Sequence, residues 1–155
     1  NLISEHYQSL QFLGIKKNHI LLGNFTTREF SYSRQEICDF LFKIKQKVKP
    51  TCVFVNSSDL HQDHHVSNME CQRTFRDISL IEFNIERSTM YSKPSFFIKL
   101  SKQEILHKIK SLKHYNTYKN KNYFQSENIL AQSKTMGIKI ESPYCEAFNI
   151  ISLII

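Results

Sequence analysis

The chain has 155 residues, of which 41% are hydrophobic and 23% are charged, and its formal net charge is +7. This length suits one domain, and the apolar fraction is large enough to bury a core, which excludes an intrinsically disordered chain. No stretch approaches the roughly 20 consecutive apolar residues of a membrane-spanning helix, and no basic-then-apolar leader opens the sequence. We therefore expect a single domain over residues 1–155 with no membrane span.

The positive charge is concentrated in one segment. Between residues 99 and 121 a single acid, Glu104, accompanies seven lysines, which are Lys99, Lys102, Lys108, Lys110, Lys113, Lys119 and Lys121. A polyanion could bind such a face through counterion release. However, Ile and Asn are abundant as well, and no nucleic-acid recognition motif is present. The sequence therefore disfavours a nucleic-acid partner and leaves an anionic small molecule open.

The cysteines are isolated from one another. Cys38, Cys52, Cys71 and Cys145 form no Cys-x-x-Cys pair, which excludes a zinc ribbon or a redox dithiol of that type. Cys52 lies in an apolar run, and Cys38 lies beside Ile37. We expect buried free thiols in a reducing compartment, and hence a cytoplasmic protein.

The predicted elements alternate between helix and strand. In the first half we predict a helix at 2–13, ended by Gly14, and a strand at 20–22. A second helix is opened by the capping-box pair Ser33 and Glu36 and ended by Pro50. A strand at 51–55 and a helix at 65–76 follow. In the second half we predict strands at 79–86 and 96–100, a helix opened by Ser101 and Glu104, a helix at 125–136 ended by Gly137, and strands at 138–140 and 147–155.

This alternation predicts an α/β fold, three-layered and Rossmann-like, with a mostly parallel sheet. The run at 51–55 is β-branched and continuous, as in a strand that is buried on both faces. Folds of this kind normally open with a strand, whereas this sequence opens with a helix. We therefore expect a missing first strand, upstream of Asn1.

Directly after the strand at 51–55 comes the segment Asp59-Leu60-His61-Gln62-Asp63-His64-His65. In open α/β sheets, ligands bind beyond the carboxyl ends of the strands, which is where this segment falls. Imidazoles and carboxylates at this density can supply a general acid, a general base and metal ligands. The sequence therefore predicts a functional site here.

Spacing suggests roles within this segment. A loop that enters a helix could aim both His61 and His64 at one point, with His64 on a metal and His61 on a substrate or bound water. Asp63 could hold an imidazole N–H, as carboxylates do behind metal-binding histidines. For Asp59 and His65, each taken singly, the sequence favours a capping group or solvated surface over a functional role. A lone His-x-x-His does not close a zinc site, so further ligands must come from elsewhere.

The segment Asp59-Leu60-His61-Gln62-Asp63-His64 resembles the second signature of the LmbE/PIG-L de-N-acetylases, zinc enzymes that hydrolyse the acetamide of N-acetylglucosamine-type sugars. The likeness extends over nearly the whole chain. Further segments that resemble the family, in order, are Glu5 with Leu13 and Gly14, Asn24-Phe25, Arg28-Glu29-Phe30, Arg34-Gln35-Glu36-Ile37, Lys108–Leu112 with Tyr115, Tyr123-Phe124, and Tyr144-Cys145-Glu146-Ala147-Phe148.

The resemblance implies roles for four residues. His64 would ligate Zn²⁺, and His61 would act as general acid or stabilise the oxyanion. Asp63 would orient the histidines. Arg28 would bind substrate, although a structural arginine explains that position nearly as well. The function implied is zinc-dependent hydrolysis of the N-acetyl group of an N-acetylglucosamine-type sugar conjugate, in polysaccharide or glycoconjugate synthesis.

The sequence also departs from the family pattern. The first signature, His-Pro-Asp-Asp, which supplies the general base and two zinc ligands, is absent, and the family pattern places it upstream of Asn1. Residues 1–155 would then be the C-terminal part of a deacetylase domain. A tyrosine motif of the family reads Tyr115-Asn116-Thr117-Tyr118 here. The alternative is a catalytically inactive, truncated relative that acts as a binding or structural module.

Overall fold

The computed structural model describes all residues from 1 to 155. The helices are α1 (Leu2–Phe12), α2 (Arg34–Val48), α3 (Gln62–Thr74), α4 (Lys102–Leu112) and α5 (Ser126–Ile138), and the strands are β1 (Cys52–Asn56), β2 (Ser79–Phe83), β3 (Phe96–Leu100) and β4 (Tyr144–Ser152). The strands form one sheet in the order β1-β2-β4-β3. The α/β fold is confirmed. None of the helices is both long enough and apolar enough to cross a bilayer.

The sheet is mixed, where a mostly parallel one was expected. β1 and β2 run parallel, with Cys52 opposite Ser79 and Asn56 opposite Phe83. β2 and β4 run antiparallel, with Phe83 opposite Phe148. Apolar runs identify buried strands, but the direction in which a strand enters the sheet is set by the connections before it.

The chain divides into two compact units, and the first comprises residues 23–96 with 147–155. Its core cluster consists of Val55 from β1, Cys71 from α3, Phe75 directly after α3, and Leu80 from β2. The connection from β1 through α3 to β2 is a βαβ arrangement, because the two strands it joins are parallel. The loops that follow β1 and β2 therefore emerge at the same edge of the sheet.

The second unit comprises residues 1–22 with 97–146. Ile105 and Ile109 of α4 pack with Ile129 of α5, and Ile105 is fully buried. The Ser101 side chain accepts the Glu104 amide, and the Glu104 carboxylate accepts the Ser101 amide, which forms the predicted capping box of α4. Ser33 is the N-cap residue of α2, but its side chain makes no capping hydrogen bond.

Two predicted strands are wrong. Residues 20–22 follow a short 3-10 turn at Lys17–His19 and form no strand. Residues 138–140 belong to the end of α5 and the turn after it, because α5 continues through Gly137 instead of ending there. A Cβ at Gly137 would lie 2.2 Å from the carbonyl oxygen of Ser142, so this glycine permits a close return of the chain. Apolar runs this short do not determine a strand without a partner strand to pair with.

β1 is also less buried than predicted. It lies at the end of the strand order, and Phe54 is 48% exposed, while Val55 belongs to the core. An open groove of about 580 Å³ runs beside β1, lined by apolar residues that include Phe40 and Leu41 of α2. Cys52 is exposed, where a buried thiol was expected, whereas Cys71 and Cys145 are buried as predicted.

Candidate functional site

The histidine segment lies where the sequence predicts it, immediately after β1. α3 starts earlier than expected, at Gln62, and His61 is its N-cap residue. The Asn56 side chain at the end of β1 donates hydrogen bonds to the carbonyl oxygens of Ser57 and His64, both at 2.9 Å. These bonds tie the first turn of α3 to the end of the strand and fix the backbone that carries the histidines.

His64 is held by Asp59. The His64 Nδ1 atom lies 2.9 Å and 3.0 Å from the two carboxylate oxygens of Asp59. The Asp59 side chain is 1% exposed and that of His64 is 26% exposed. Because an ionised carboxylate can only accept hydrogen bonds, His64 Nδ1 must donate one. In a neutral imidazole this leaves the lone pair on Nε2, the nitrogen that can ligate a metal.

Asp59 has an unusually complete set of hydrogen-bond partners. Its Oδ2 accepts from Ser88 Oγ at 2.6 Å and from Ser57 Oγ at 3.2 Å, and its Oδ1 accepts from the His61 amide at 2.9 Å. Burial acts to raise the pKa of Asp59, but the hydrogen bonds from Ser88, His61 and His64 outweigh it and lower that pKa. The carboxylate is therefore ionised at neutral pH.

His61 presents the opposite nitrogen. Its Nδ1 atom accepts the amide hydrogen of Asp63 at 3.1 Å, so in the neutral ring the proton resides on Nε2. The two imidazoles are stacked, with centroids 4.4 Å apart and planes at 20°. Side by side, the site therefore holds one ring with a free lone pair and one ring with a free N–H.

Asp63 contacts a different part of the chain from the one expected. Its carboxylate accepts the backbone amides of Arg28 at 2.6 Å and Phe30 at 3.4 Å. The residue is buried, and only its backbone amide contacts His61. The carboxylate that holds an imidazole is thus that of Asp59, whereas the Asp63 carboxylate holds the loop at 28–30.

Arg28 is placed near the histidines through this loop. It has a positive φ of 73°, a conformation that costs free energy in a residue with a Cβ, and the bond from its amide to Asp63 stabilises that conformation. Its side chain is exposed and forms no ion pair. His65 is also exposed, and its Nδ1 contacts Ser58 Oγ at 2.7 Å, which matches the surface alternative considered for it.

The site provides one ligand position for a metal. His64, with the Asp59 carboxylate behind it, fits the arrangement by which proteins orient a zinc-binding histidine. No group of three or more His, Cys, Asp or Glu side chains in the chain is placed to hold a metal ion. Because a catalytic zinc takes three protein ligands, these residues do not complete a zinc centre by themselves.

Sequence reasoning missed the residues that support the site from the neighbouring strand. Ser88 and Thr89 follow β2, and their hydroxyls contact the Asp59 carboxylate and Ser57. Asn68 of α3 is fully buried and donates to the Asn56 carbonyl at 2.6 Å and to Glu82 at 3.0 Å. The sequence shows Asn68 only as an asparagine in the middle of a predicted helix, and it contains no signal for Ser88 or Thr89.

Comparisons with known proteins find solved structures that have a similar fold. The conserved protein TT1542 from Thermus thermophilus matches with a TM-score of 0.70 and 15% identity, over 98% of this chain and 73% of that one. The zinc-inhibited form of teicoplanin deacetylase Orf2 matches with a TM-score of 0.68 and 11% identity, over 94% of this chain and 71% of that one. No protein-family model and no curated protein matches the sequence.

These likenesses establish the class of architecture. The chain has the α/β, Rossmann-like fold of a deacetylase of known structure, as the resemblance to LmbE/PIG-L proteins predicts. Identities of this size show the fold alone, so the chemistry has to be argued from the residues of the site.

Proposed function

We propose that the protein is an amide hydrolase that removes the N-acetyl group of an N-acetylglucosamine-type sugar conjugate, in polysaccharide or glycoconjugate synthesis. The observation that carries this proposal is the pair of stacked imidazoles with opposite free nitrogens, at the carboxyl end of β1. The deacetylase fold and the resemblance of the His61–His64 segment to a deacetylase signature support the same chemistry.

His61 has an N–H that can stabilise the charge which develops in this reaction. Hydrolysis adds the oxygen of water to the acetyl carbon, breaks the C–N bond and moves a proton of that water to the departing amine. His61 Nε2–H can donate a hydrogen bond to the oxyanion that develops on the acetyl oxygen, and the neutral ring keeps this proton throughout. The products are acetate and a free amino sugar.

His64 takes a different part in the proposal. Its Nε2 lone pair is the one position among these residues that is ready for Zn²⁺, and the other ligands would come from outside the set of side chains described. Arg28, exposed and without an ion-pair partner, remains our proposed substrate-binding residue.

Acetate release tests the proposal. The protein as its natural source makes it, supplied with Zn²⁺, should release acetate from N-acetylglucosamine conjugates. His61→Ala should lower kcat by about 10²–10³-fold, since removing one donor to an oxyanion typically costs that much. His65→Ala is the matched control and should leave kcat unchanged, because the side-chain hydrogen bond of His65 is to Ser58. An unchanged kcat in His61→Ala would exclude the role proposed for His61.

A second candidate is a non-catalytic binding module. The observation that favours it is the lack of three metal-binding side chains in one place. Such a module would bind N-acetylglucosamine conjugates without releasing acetate, so the same assay, combined with calorimetric titration of the conjugate, separates the two functions.

A further inference from the structure

The Asp59 carboxylate sits between two loops that follow neighbouring strands. On one side it accepts from the His61 amide and from His64 Nδ1, both in the segment after β1. On the other side it accepts from Ser88 Oγ, in the segment after β2, at 2.6 Å. At 1% exposure the carboxylate has no competing contact with bulk water. Its rotation is therefore fixed from both sides.

Ser88 is itself held in place. Its amide and that of Thr89 both donate to the Ile85 carbonyl at 2.9 Å, and Thr89 Oγ1 accepts the Ile85 amide at 3.0 Å. Thr89 Oγ1 also contacts Ser57 Oγ at 2.6 Å, and the Leu60 amide donates to the Ser88 carbonyl. This turn at residues 85–89 is thus a rigid support, joined by hydrogen bonds to the loop that carries Asp59.

We propose that Asp59 is the positioning residue of His64 and that Ser88 locks Asp59 in place, so that the turn after β2 determines which nitrogen of His64 faces outward. The functional meaning of this inference rests on the proposed function, whereas the hydrogen bonds that it is argued from do not. If Asp59 only stabilised its own loop, the hydrogen bond from the His61 amide to its carboxylate would suffice, because that bond forms a local Asx turn. The two contacts to His64 Nδ1 and the bond from Ser88 are not needed for that turn.

The consequence is a single state of the His64 ring. With Nδ1–H donated to Asp59, the ring cannot flip without breaking that bond, and the Nε2 lone pair stays outward. If Asp59 loses its lock, the carboxylate can turn towards the His61 amide alone, and His64 becomes a mixture of tautomers and ring orientations. Preorganisation of a ligand ring in this way is how residues behind a metal ligand affect binding.

Nitrogen-15 NMR of the imidazole rings, recorded on the whole protein at neutral pH, tests this inference. The wild type should show His64 as the pure Nδ1–H tautomer. Ser88→Ala should turn it into a mixture, and Ser88→Thr, which retains a hydroxyl, should restore it. Ser58→Ala is the matched control and should leave His64 unchanged, because Ser58 contacts His65. Asp59→Ala should abolish the preference, and if that variant fails to fold, Ser88→Ala decides.

Two results would overturn the inference: a wild-type His64 that is wholly or partly the Nε2–H tautomer, or a Ser88→Ala variant with the wild-type spectrum. Acetate release by the same samples separates this inference from the proposed function. Predicted tautomers without acetate release would leave the positioning role established and remove the deacetylase activity. Acetate release with a mixed His64 tautomer in the wild type would support the deacetylase activity and remove the positioning role.

Discussion

Cys71 shows how strongly the core alters the chemistry of a single residue. It packs with Val55, Phe75 and Leu80, and burial raises the pKa of its thiol to about 11. Only the thiolate reacts with alkylating agents. Cys71 therefore stays protonated and protected at neutral pH, whereas Cys52 is exposed to solvent.

We predict that iodoacetamide labels Cys52 in the native protein and leaves Cys71 unmodified. Raising the pH from about 7 to about 9 should not produce labelling at Cys71, because this range lies below its raised pKa. Peptide mapping by mass spectrometry measures both sites, and denatured protein, in which all four cysteines react, is the control. Equal labelling of Cys52 and Cys71 in native protein would contradict the buried position of Cys71.

Some residues of the candidate site could be predicted from the sequence, and others could not. His61 and His64 could be singled out from the sequence, because a dense cluster of His and Asp directly after a predicted strand is visible there. The partners of the carboxylates could not. Asp63 bonds the amide of Arg28, which lies 35 positions away, and Asp59 bonds Ser88, which lies 29 positions away. Such contacts are set by the path of the chain and have no signature in local spacing.

At the scale of elements, the two predicted capping boxes turned out differently. Ser101 has an extended backbone, with φ −75° and ψ 162°, and it caps α4 with the reciprocal bond from Glu104. Ser33 has φ −111° and ψ 24° after a 3-10 turn at Phe30–Tyr32, and it makes no capping bond. An N-cap side chain reaches the helix amides from an extended backbone, so the preceding turn removes the cap at Ser33.

This difference predicts different costs for the same substitution. Ser101→Ala should lower the free energy of unfolding by about 1 kcal/mol, or about 2–4 °C in Tm for a chain of this size, since a cap is lost. Ser33→Ala is the matched control and should change it by less than about 0.5 kcal/mol. Thermal unfolding followed by circular dichroism measures both, and equal losses would contradict the assignment of the caps.

The pH dependence of this pair follows from Glu104. The hydrogen bonds from the amide and side chain of Ser101 lower the pKa of Glu104 below its ordinary value of 4.5. A carboxylate with a lowered pKa stabilises the fold above the ordinary value, and this contribution is lost as the pH falls through the lowered one. The difference between wild type and Ser101→Ala should therefore shrink in acid.

Helices were easier to predict than strands. All five helices were predicted from the sequence, and the boundaries differ mainly at α3 and α5. The two strands that do not form were predicted from segments of only three residues, Ile-Leu-Leu at 20–22 and Ile-Lys-Ile at 138–140. A helix satisfies its own hydrogen bonds, whereas a strand depends on a partner that the local sequence does not specify.

At the scale of the whole molecule, fold and chemistry rest on separate evidence. TM-scores of 0.70 and 0.68 accompany identities of 15% and 11%, so the architecture is shared where most side chains differ. The same architecture serves many reactions, and the activity has to come from the site. The site that we propose for it is the pair His61 and His64, with Asp59 hydrogen-bonded to His64 and Ser88 hydrogen-bonded to Asp59.

The central claim is that these two histidines have different tasks, with His64 facing a metal and His61 facing the substrate. Zinc content by elemental analysis, after dialysis of the protein as its natural source makes it, tests the claim most directly. We predict that wild type and His61→Ala retain Zn²⁺, whereas His64→Ala loses it, because only His64 has an outward lone pair held by Asp59. Equal retention or equal loss of Zn²⁺ in the two variants would contradict this division.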